Sequence, residues 1–503
     1  MLKFHSVTGV RLLPCILLMM ASLGCGSGNN FPNPGVSLAA TSNPMVAQYT
    51  IVPSHKDSSA WVEFGTDTSY GRRTSTTPAT TDYGQQLNVL VAGMKANTTY
   101  HMRAHVDWFN GTFVDQDRTF KTGKIPSSAG VPPQITVTRP TPGLSPSGGI
   151  ELFNLVGPPT MLRALVTDLE GNVIWYYNPG NGGSITPMKL MQNGHFIMNV
   201  GDLREIDLAG NMIRDITTDE VNQSLQANGY PFTISVFHHD VVVLPNGHWI
   251  TLANTSKQFT NLPGYPGVTD VLGDALIDID TNGNVAWAWS GFDHLDVNRH
   301  LMGLPDWTHS NAIIYAPDGN LLLSMRHQSW ILKIDYANGT GAGDIIWKLG
   351  DEGDFALVGG DPADWFYAQH YPNLENTSGS QLTLDIWDNG NFRIDPDGSI
   401  CSATCYSRAT IFQVDEDTKV ATLLWQYLPG FYSFWGGSIG DLSNGDVEFD
   451  MTTVGVTSPA SQIMEVTHGS NGGQTVWQLN LNGENAYRAY RIPSLYPGVP
   501  WPD

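Results

Sequence analysis

Histidine side chains recur shortly before tight Asn-Gly and Asp-Gly turns in this sequence, at matching points of a repeated pattern. Aligning two of these turns places His239 opposite Asn311. Because strand side chains alternate between faces, His309 and Asn311 share one face, and His239 occupies the equivalent face of its own repeat. The same alternation predicts that His238 points the other way.

His370 falls at the matching point of the following repeat, and Arg326 comes soon after the His309 strand. Arginine and histidine N–H groups suit a tetrahedral oxyanion. A neutral imidazole suits nucleophilic attack or general base catalysis near neutral pH. If the repeated strands enclose a central channel, the three histidines and the arginine converge on it. Together they predict transfer of an anionic group through a histidine.

Two other function classes use the same residues. A metal-dependent hydrolase would take five of them as ligands: His238, His239, Asp240, His309 and His370. Arg326 in the same channel would repel a metal cation, which disfavours that alternative. A non-catalytic propeller that binds carbohydrate or protein is the third alternative, and the intact His370 and Arg326 argue against it. The acidic turns 351–354 and 395–398 lack a full calcium-loop pattern, which favours solvated turns.

The segments that must position these side chains read as short strands joined by turns. Asn-Gly and Asp-Gly pairs, which favour hairpin turns, close with Gly194, Gly247, Gly319 and Gly445. A second pattern of strand, turn and aromatic strand recurs six times, at 168–175, 207–214, 280–287, 335–347, 415–425 and 467–477. Periods of this length built from short strands predict an all-β chain whose residues 149–503 form a six-bladed β-propeller. The copy at 168–175 would pair with the C-terminal blade, and the aromatic residues would pack between blades.

Residues 31–123 show short alternating stretches separated by turn residues, which predicts a small β-sandwich. The pattern resembles a fibronectin type III domain, with Tyr100 placed like the buried strand tyrosine of that domain. A Pro/Ser/Gly-rich stretch at 124–148 is predicted to link the sandwich to the propeller.

Composition and the first residues indicate an exported protein. The net charge of −22 argues against nucleic acid as a partner, since nucleic-acid binding needs a basic surface. Residues 1–25 have the positive start and short apolar run of a signal peptide. The end of that run resembles a bacterial lipobox, so Cys25 is a candidate lipidation site. We therefore expect a periplasmic or cell-surface location, with a membrane contact only through a lipid anchor.

Two cysteines remain outside the signal segment, Cys401 and Cys405. An exported chain meets an oxidising compartment, so this close pair predicts a disulfide that closes a short loop. The sequence leaves the oligomeric state open, with a homodimer as one alternative.

Four segments resemble the bacterial arylsulfate sulfotransferase family: Phe237-His-His-Asp240, Asp306-Trp-Thr-His-Ser-Asn311, Ser324-Met-Arg-His-Gln-Ser329 and Gln369-His370. The resemblance covers residues 148–490. It implies a six-bladed propeller behind a β-sandwich, and transfer of a sulfuryl group from a phenolic sulfate donor to a phenol acceptor without a nucleotide sulfate. It implies no cofactor and no metal.

The resemblance also implies roles for individual residues. His370 is similar to the histidine that is transiently sulfated. His309, Arg326 and one histidine of the His238–His239 pair are similar to the sulfate-binding set, and the face argument favours His239. Asn311 is expected to support His309 or the sulfate. Family members carry a disulfide loop close to the catalytic histidine, whereas the cysteine pair here lies downstream of it.

Overall fold

The structure is a computed structural model that describes residues 33–80, 85–156, 162–180, 184–402, 404–453, 460–469 and 473–501. The predicted signal peptide, 1–25, and the candidate lipidation site, Cys25, lie outside these residues. The chain is all-β, with 49% strand and 6% helix. None of the helices in the described ranges is long and apolar enough to cross a membrane.

Two sheets form the N-terminal part of the chain. The nine strands are β1 (Gly35–Ala40), β2 (Ala47–Val52), β3 (Ser58–Gly65), β4 (Arg72–Arg73), β5 (Thr77–Thr80), β6 (Leu87–Val91), β7 (Thr99–Trp108), β8 (Gly111–Val114) and β9 (Arg118–Lys121). One sheet has the order β1-β2-β6; the other has the order β4-β3-β7-β8, with β5 on β3 and β9 on β7. Every second side chain of β2 and β3 is buried, so each sheet turns one face to a core.

The rest of the described chain forms six sheets, named I to VI here. The strands that precede sheet I are β10 (Gln134–Thr138), β11 (Ile150–Val156), β12 (Ala164–Thr167) and β13 (Val173–Tyr177). Sheet I contains β14 (Met188–Leu190), β15 (Phe196–Asn199), β16 (Leu203–Ile206) and β17 (Met212–Ile216). Helix α1 (Thr218–Ala227) leads to sheet II, which contains β18 (Phe237–Val243), β19 (Trp249–Leu262), β20 (Tyr265–Ile279) and β21 (Val285–Ser290).

Sheets III to V follow in the same way. Sheet III contains β22 (Ser310–Tyr315), β23 (Leu321–Met325), β24 (Trp330–Ile334) and β25 (Ile345–Leu349). Sheet IV contains β26 (Ala356–Leu357), β27 (His370–Ser378), β28 (Gln381–Asp388), β29 (Arg408–Asp415) and β30 (Val420–Tyr427). Sheet V contains β10 with β31 (Ser438–Asp441), β32 (Val447–Met451), β33 (Ala460–Val466) and β34 (Thr475–Asn482).

Sheet VI joins distant parts of the chain. One of its edge strands is β35 (Asn485–Ile492), which pairs with β11, and β12 and β13 complete the sheet. The 168–175 copy, which runs into β13, was predicted to pair with the C-terminal blade; β13 lies in the same sheet as β35 but pairs with β12, and β11 is the strand that pairs with β35. The segment 124–148, predicted as a linker, contributes β10 to the edge of sheet V.

Buried apolar clusters connect each sheet to the next. Separate clusters join I to II, II to III, III to IV, IV to V and V to VI. A further cluster joins VI to I, and it also includes the N-terminal sheets. Residues after β35 bind the two parts together, because Trp501 packs edge-on against Phe64 and the Tyr496 hydroxyl donates to the carbonyl of Leu90.

A repeated side-chain hydrogen bond follows the same succession of sheets. In five sheets a tryptophan indole N–H at the end of the predicted repeat donates to an acceptor of the next sheet: Trp175 to Leu208, Trp287 to Gly341, Trp347 to Glu416, Trp425 to Gly469 and Trp477 to Leu169. In sheet I the repeat ends in Arg214, whose guanidinium donates to the carbonyl of Asp280 in sheet II. The six repeat copies therefore mark one structural position between neighbouring sheets.

Candidate active site

The three predicted histidines lie at the start of an edge strand in each of sheets II, III and IV. His239 is in β18, His309 comes directly before β22, and His370 begins β27. One edge strand of each of sheets II to V contacts an edge strand of the next, from β18 through β22, β27 and β31 to β35. The three histidines therefore share one end of this group of strands.

Backbone irregularities aim these side chains. The strand register shifts after His238 in β18, after Ser310 in β22 and after His370 in β27. His239 and His309 also have positive φ angles of 54° and 46°. Such angles are uncommon for non-glycine residues, and bulges of this kind re-aim side chains beside functional sites.

The side chains meet around Tyr487, which lies in β35. The ring centroids of His239 and His309 are 4.8 Å apart, and those of His239 and Tyr487 are 5.7 Å apart. The centroid of His370 lies 6.1 Å from that of Tyr487. The structure thus brings together the three histidines that the sequence analysis selected, with a tyrosine that it did not.

His370 is held by both ring nitrogens. Its Nδ1 lies 2.7 Å from Oδ1 of Asn389, whose own amide nitrogen donates to the carbonyls of Ser433 and Gly436. Oδ1 of Asn389 is therefore an acceptor, and Nδ1 of His370 carries the proton. Nε2 of His370 then has a free lone pair, which accepts the backbone N–H of Gly436 at 3.2 Å.

Burial and positive neighbours keep His370 neutral. The side chain is 1% exposed. Burial, then Arg326, His309 and Arg488, lower the pKa of His370 well below its usual value, and only the Asn389 hydrogen bond opposes them. A histidine in this state is unprotonated at neutral pH, as a nucleophile requires.

Arg326 follows β23 and is fixed by its neighbours. Its guanidinium donates to the carbonyl of Phe434 at 2.9 Å, and another nitrogen lies 2.7 Å from Nε2 of His327. Nε of Arg326 is buried and has no hydrogen-bond partner among the described residues. The arginine therefore has an unused donor beside the histidines.

Asp306 orients His309. Oδ2 of Asp306 lies 2.5 Å from Nδ1 of His309, and the His327 ring stacks on His309 at 4.5 Å. Although burial opposes it, the contact with His309 lowers the pKa of the Asp306 carboxyl. An ionised carboxylate on Nδ1 leaves Nε2 of His309 free to accept a proton. The side chain of His309 is 27% exposed, so solvent reaches the site here.

His238 stands behind His239. The Nδ1 atoms of the two rings are 2.8 Å apart, and Nε2 of His238 lies 3.1 Å from Oδ1 of Asp274. Although burial opposes it, the contact with His238 holds the pKa of Asp274 at about 2. His238 was expected to point away from His239, but the register shift after it breaks the alternation and the two rings touch.

Asn311 has a different contact from the one expected. It is fully buried, and its amide nitrogen donates to the carbonyl of Gln369 at 2.7 Å. Gln369 in turn donates to Ser324 and to the carbonyl of Trp330. Asn311 therefore supports the backbone that leads into His370, instead of bonding to His309.

Arg488 and Asp240 form a buried ion pair next to the histidines. The guanidinium donates to the carbonyl of Asn311 and lies 3.5 Å from Asp240. Lys189 contacts the same carboxylate at 2.5 Å. The Asp240 carboxylate is thus occupied by two cations, which removes it from the ligand set of the metal-dependent alternative.

That alternative set does not form a common cluster in the described residues. The ligand atoms that do gather near the site belong to Asp306, His309 and His327. Nε2 of His327 faces the Arg326 guanidinium, so a metal here would lie against a fixed positive charge.

An aromatic loop borders the site. Phe431, Tyr432 and Phe434 are 46%, 36% and 47% exposed. The Trp435 ring lies 6.4 Å from Tyr487, at a small interplanar angle. This loop offers flat apolar surfaces next to Arg326 and His370, which suits an aromatic ligand.

The predicted disulfide is present between Cys401 and Cys405. Sγ of Cys401 lies 3.4 Å from the carbonyl oxygen of Gly390, the residue after Asn389. The disulfide loop therefore packs beside the partner of His370, although it lies downstream in sequence.

Sequence reasoning missed four residues of the site: Asn389, Gly436, Tyr487 and Arg488. Tyr487 and Arg488 are far from the histidines in sequence, and only the pairing of β35 with β11 brings them near. The Gly436-Gly437 pair before β31 was an available signal. A Cβ on Gly437 would lie 2.4 Å from Trp387, so this close approach requires glycine.

A search of curated proteins found no match. Among solved structures, a streptogramin B lyase is 10% identical over 69% of this chain and 98% of its own, with a TM-score of 0.31. Virginiamycin B lyase from Staphylococcus aureus is 10% identical over 69% and 99%, with a TM-score of 0.29. A protein from Lactobacillus plantarum is 10% identical over 87% and 100%, with a TM-score of 0.33. At these TM-scores the likenesses carry no argument.

One family model matches most of the chain. The arylsulfotransferase (ASST) model covers residues 153–491, from β11 to β35. The matched region includes every histidine and arginine of the site. The family implies a sulfotransferase with an aryl sulfate donor and a phenol acceptor. This chain belongs to the arylsulfotransferase family.

Proposed function

We propose that the protein moves a sulfuryl group from a phenolic sulfate ester to a phenol through a sulfated His370, without a nucleotide sulfate donor. The observation that carries the proposal is the state of His370. The ring is buried and neutral, its Nδ1 proton is fixed by Asn389, and its Nε2 lone pair lies among histidine and arginine groups.

The first half-reaction uses that lone pair. Nε2 of His370 attacks the sulfur, an N–S bond forms, and the S–O bond to the phenolate breaks. Charge on the sulfuryl oxygens would be stabilised by Arg326, His239 and the N–H of Gly436, which the attack releases from Nε2. The exposed rings of Phe431 and Phe434 would bind the aryl group.

The second half-reaction regenerates His370. A phenol has a pKa of about 10, so it must lose its proton to become a good nucleophile. His309 is the base that the geometry supports, because Asp306 accepts the Nδ1 proton in a hydrogen bond and so places the lone pair of the neutral ring on Nε2. The phenolate oxygen then attacks the sulfur, and the N–S bond to His370 breaks. Donor and acceptor use one site in turn, which gives ping-pong kinetics.

We also propose that sheets I to VI are the six blades of a β-propeller. Clusters between successive sheets run from I to VI and back to I, and the six tryptophan or arginine donors follow the same order. We also propose that the two N-terminal sheets form a fibronectin type III-like sandwich. The Cys401–Cys405 disulfide supports export to an oxidising compartment.

The test is release of nitrophenol from 4-nitrophenyl sulfate, with and without phenol, in the presence of a chelator. We expect release that depends on phenol, survives the chelator and vanishes in His370→Asn. His195→Asn is the matched control, because that histidine bonds Glu205 in sheet I, outside the site. Mass spectrometry of protein incubated with donor alone should find one sulfuryl group on the His370 peptide.

Other outcomes would support the alternatives. Release without acceptor that stops in chelator would indicate the metal-dependent hydrolase. Failure of the folded protein to react with several acceptors would favour a binding propeller. Intersecting double-reciprocal lines would contradict the sulfohistidine.

A further inference from the structure

A group of three carboxylates lies away from the histidines, where β27, β28 and β31 meet. Glu375, Asp385 and Asp441 each offer one carboxylate oxygen, and these oxygens lie within 4.8 Å of one another. The side chain of Asn373 donates to Glu375, and the backbone N–H of Asp441 lies 3.4 Å from the same Glu375 oxygen. These contacts hold Glu375 toward the other two acids.

Asp385 is the unusual member of the group. It is fully buried, and neither carboxylate oxygen has a hydrogen-bond partner among the described residues. Burying a carboxylate without a partner is costly, and two neighbouring acids add repulsion. A positive charge is therefore required to complete the group, or a proton must neutralise it.

Two other groups of buried acids in this protein carry their own cation, whereas the buried Asp450 does not. Arg491 contacts three carboxylates at 2.8 to 3.0 Å: Glu151, Glu448 and Glu465. Asp388 has Arg393 and Arg408 at 2.6 and 2.8 Å. Within the described ranges, no lysine, arginine or histidine lies within ion-pair distance of Glu375, Asp385 or Asp441, although His468 acts electrostatically on Asp441 from farther away.

We propose that Glu375, Asp385 and Asp441 bind Ca²⁺, a divalent cation that prefers oxygen ligands. The ion would neutralise these three acids as Arg491 neutralises the three carboxylates that it contacts. Ca²⁺ accepts carboxylate and water oxygens in flexible geometry, whereas Mg²⁺ requires a near-ideal octahedron. Glu375 and Asp441 reach solvent, so water can complete the coordination and the ion has a path of entry.

The ion would connect the two strands that build the His370 contact. His370 is the first residue of β27, and Gly436 lies two residues before β31. Glu375 and Asp441 lie farther along the same two strands. A cation that joins them therefore fixes β27 against β31, and with them the spacing between Nε2 of His370 and the N–H of Gly436. The binding itself is independent of the proposed sulfuryl transfer.

The competing occupant is a proton on Asp385. Burial, Glu375 and Asp441 raise the pKa of this carboxyl to about 10 in the absence of a cation. A protonated Asp385 would donate to Glu375 and need no metal. The two occupants differ in their response to added Ca²⁺, which makes them separable by experiment.

The test uses the purified full chain after treatment with a chelator, followed by removal of the chelator. Isothermal titration with CaCl₂ should show one site, with a Kd on the order of 10⁻⁴ to 10⁻³ M, the range of weak calcium sites in extracellular modules. The melting temperature should rise by roughly 1–2 °C at about tenfold excess over Kd. MgCl₂ should give a smaller shift.

Variants locate the ion. Asp385→Asn should abolish the Ca²⁺ response. Asp441→Asn, at the solvent side, should weaken Ca²⁺ binding at least tenfold and serves as the test if Asp385→Asn fails to fold. Asp397→Asn is the matched control, because it removes a carboxylate from the exposed acidic turn 395–398 and should leave the response unchanged.

Two results would overturn the proposal. One is a folded wild-type chain whose heat of titration and melting temperature do not respond to Ca²⁺, with an infrared band of a protonated carboxylic acid that disappears in Asp385→Asn. The other is a Ca²⁺ response that survives in both Asp385→Asn and Asp441→Asn.

Discussion

The two ends of strands β27 and β31 have opposite chemistry. At one end His370 lies near Arg326 and accepts the N–H of Gly436. A few residues along the same strands, Glu375 and Asp441 flank Asp385 of β28, which has no cation among the residues that the structure describes. One end is built to meet an anion, and the other to meet a cation.

Burial drives both ends toward neutrality, with different consequences. Burial lowers the pKa of His370 and raises that of Asp385, since it disfavours the charged form of either group. A neutral imidazole has a lone pair and can act as a nucleophile. A neutral carboxylic acid at Asp385 only avoids repulsion. The same physical effect therefore creates a reactive group at one end and, at the other, a buried acid that either a proton or a cation must neutralise.

Replacing the nucleophile should separate the two ends most clearly. We expect His370→Asn to lower kcat for sulfuryl transfer at least about 10³-fold, because no other group forms the N–S bond. The Ca²⁺-dependent shift in melting temperature should stay as in the wild type. Asp385→Asn should show the reverse pattern, with the shift lost and kcat reduced only a few fold. A loss of the Ca²⁺ response in His370→Asn would contradict the independence of the two ends.

Removing the arginine should weaken the anion end without removing the nucleophile. Arg326→Ala is expected to lower kcat about 10² to 10³-fold, the range for loss of one stabilising donor in a transition state. Arg326→Lys should recover part of that loss, since it keeps the charge but not the planar set of N–H groups. Steady-state assays with 4-nitrophenyl sulfate and phenol measure both. Equal activity of the alanine and lysine variants would exclude a role for the charge.

Changing the partner of His370 should introduce a pH dependence. In the wild type the pKa of His370 is already lowered, so its protonation does not limit activity near neutral pH. Asn389→Asp places a carboxylate on Nδ1, which raises the pKa of His370. Activity should then fall as pH decreases through the new pKa, and each unit by which that pKa exceeds the assay pH costs about tenfold. A pH–kcat profile from pH 5 to 9 on both proteins, with circular dichroism as a folding control, checks the shift. Identical profiles would show that Asn389 only fills space.

The disulfide should have the smallest effect on the comparison. It closes a short loop beside Gly390, so replacing both Cys401 and Cys405 by Ser should lower the free energy of unfolding by about 2 kcal/mol. We expect only a few-fold drop in kcat, because Asn389 keeps its hydrogen bonds to Ser433 and Gly436. Denaturant unfolding and the nitrophenol assay give the two numbers. A fall in kcat as large as that of Arg326→Ala would mean that the loop positions His370 directly.

Local patterns in the sequence predict much of the fold. The Asn-Gly and Asp-Gly turns at Gly194, Gly247, Gly319 and Gly445 all have φ between 82° and 86°, as hairpin turns with a positive φ require. The aromatic end of each repeat marks a contact with the next sheet, and Arg214 replaces tryptophan in one copy. These features depend on residues close together in the chain, so their spacing is sufficient to find them.

The candidate site could be predicted only in part. His239, His309 and His370 lie at strand starts and Arg326 directly follows a strand, and the repeat identifies them. The alternation argument failed for His238, because the register shift after it turns its ring onto His239. Tyr487 comes from a strand that pairs across more than three hundred residues of sequence, and no local pattern marks such a partner.

That distant strand also links activity to the completion of synthesis. β35 is an edge strand of sheet VI and supplies Tyr487 and Arg488. A chain that stops before Asn485 can therefore neither finish that sheet nor complete the site. We therefore expect a polypeptide that lacks residues 485–492 to be inert toward phenolic sulfates. Appearance of activity would then report the moment at which the fold becomes whole.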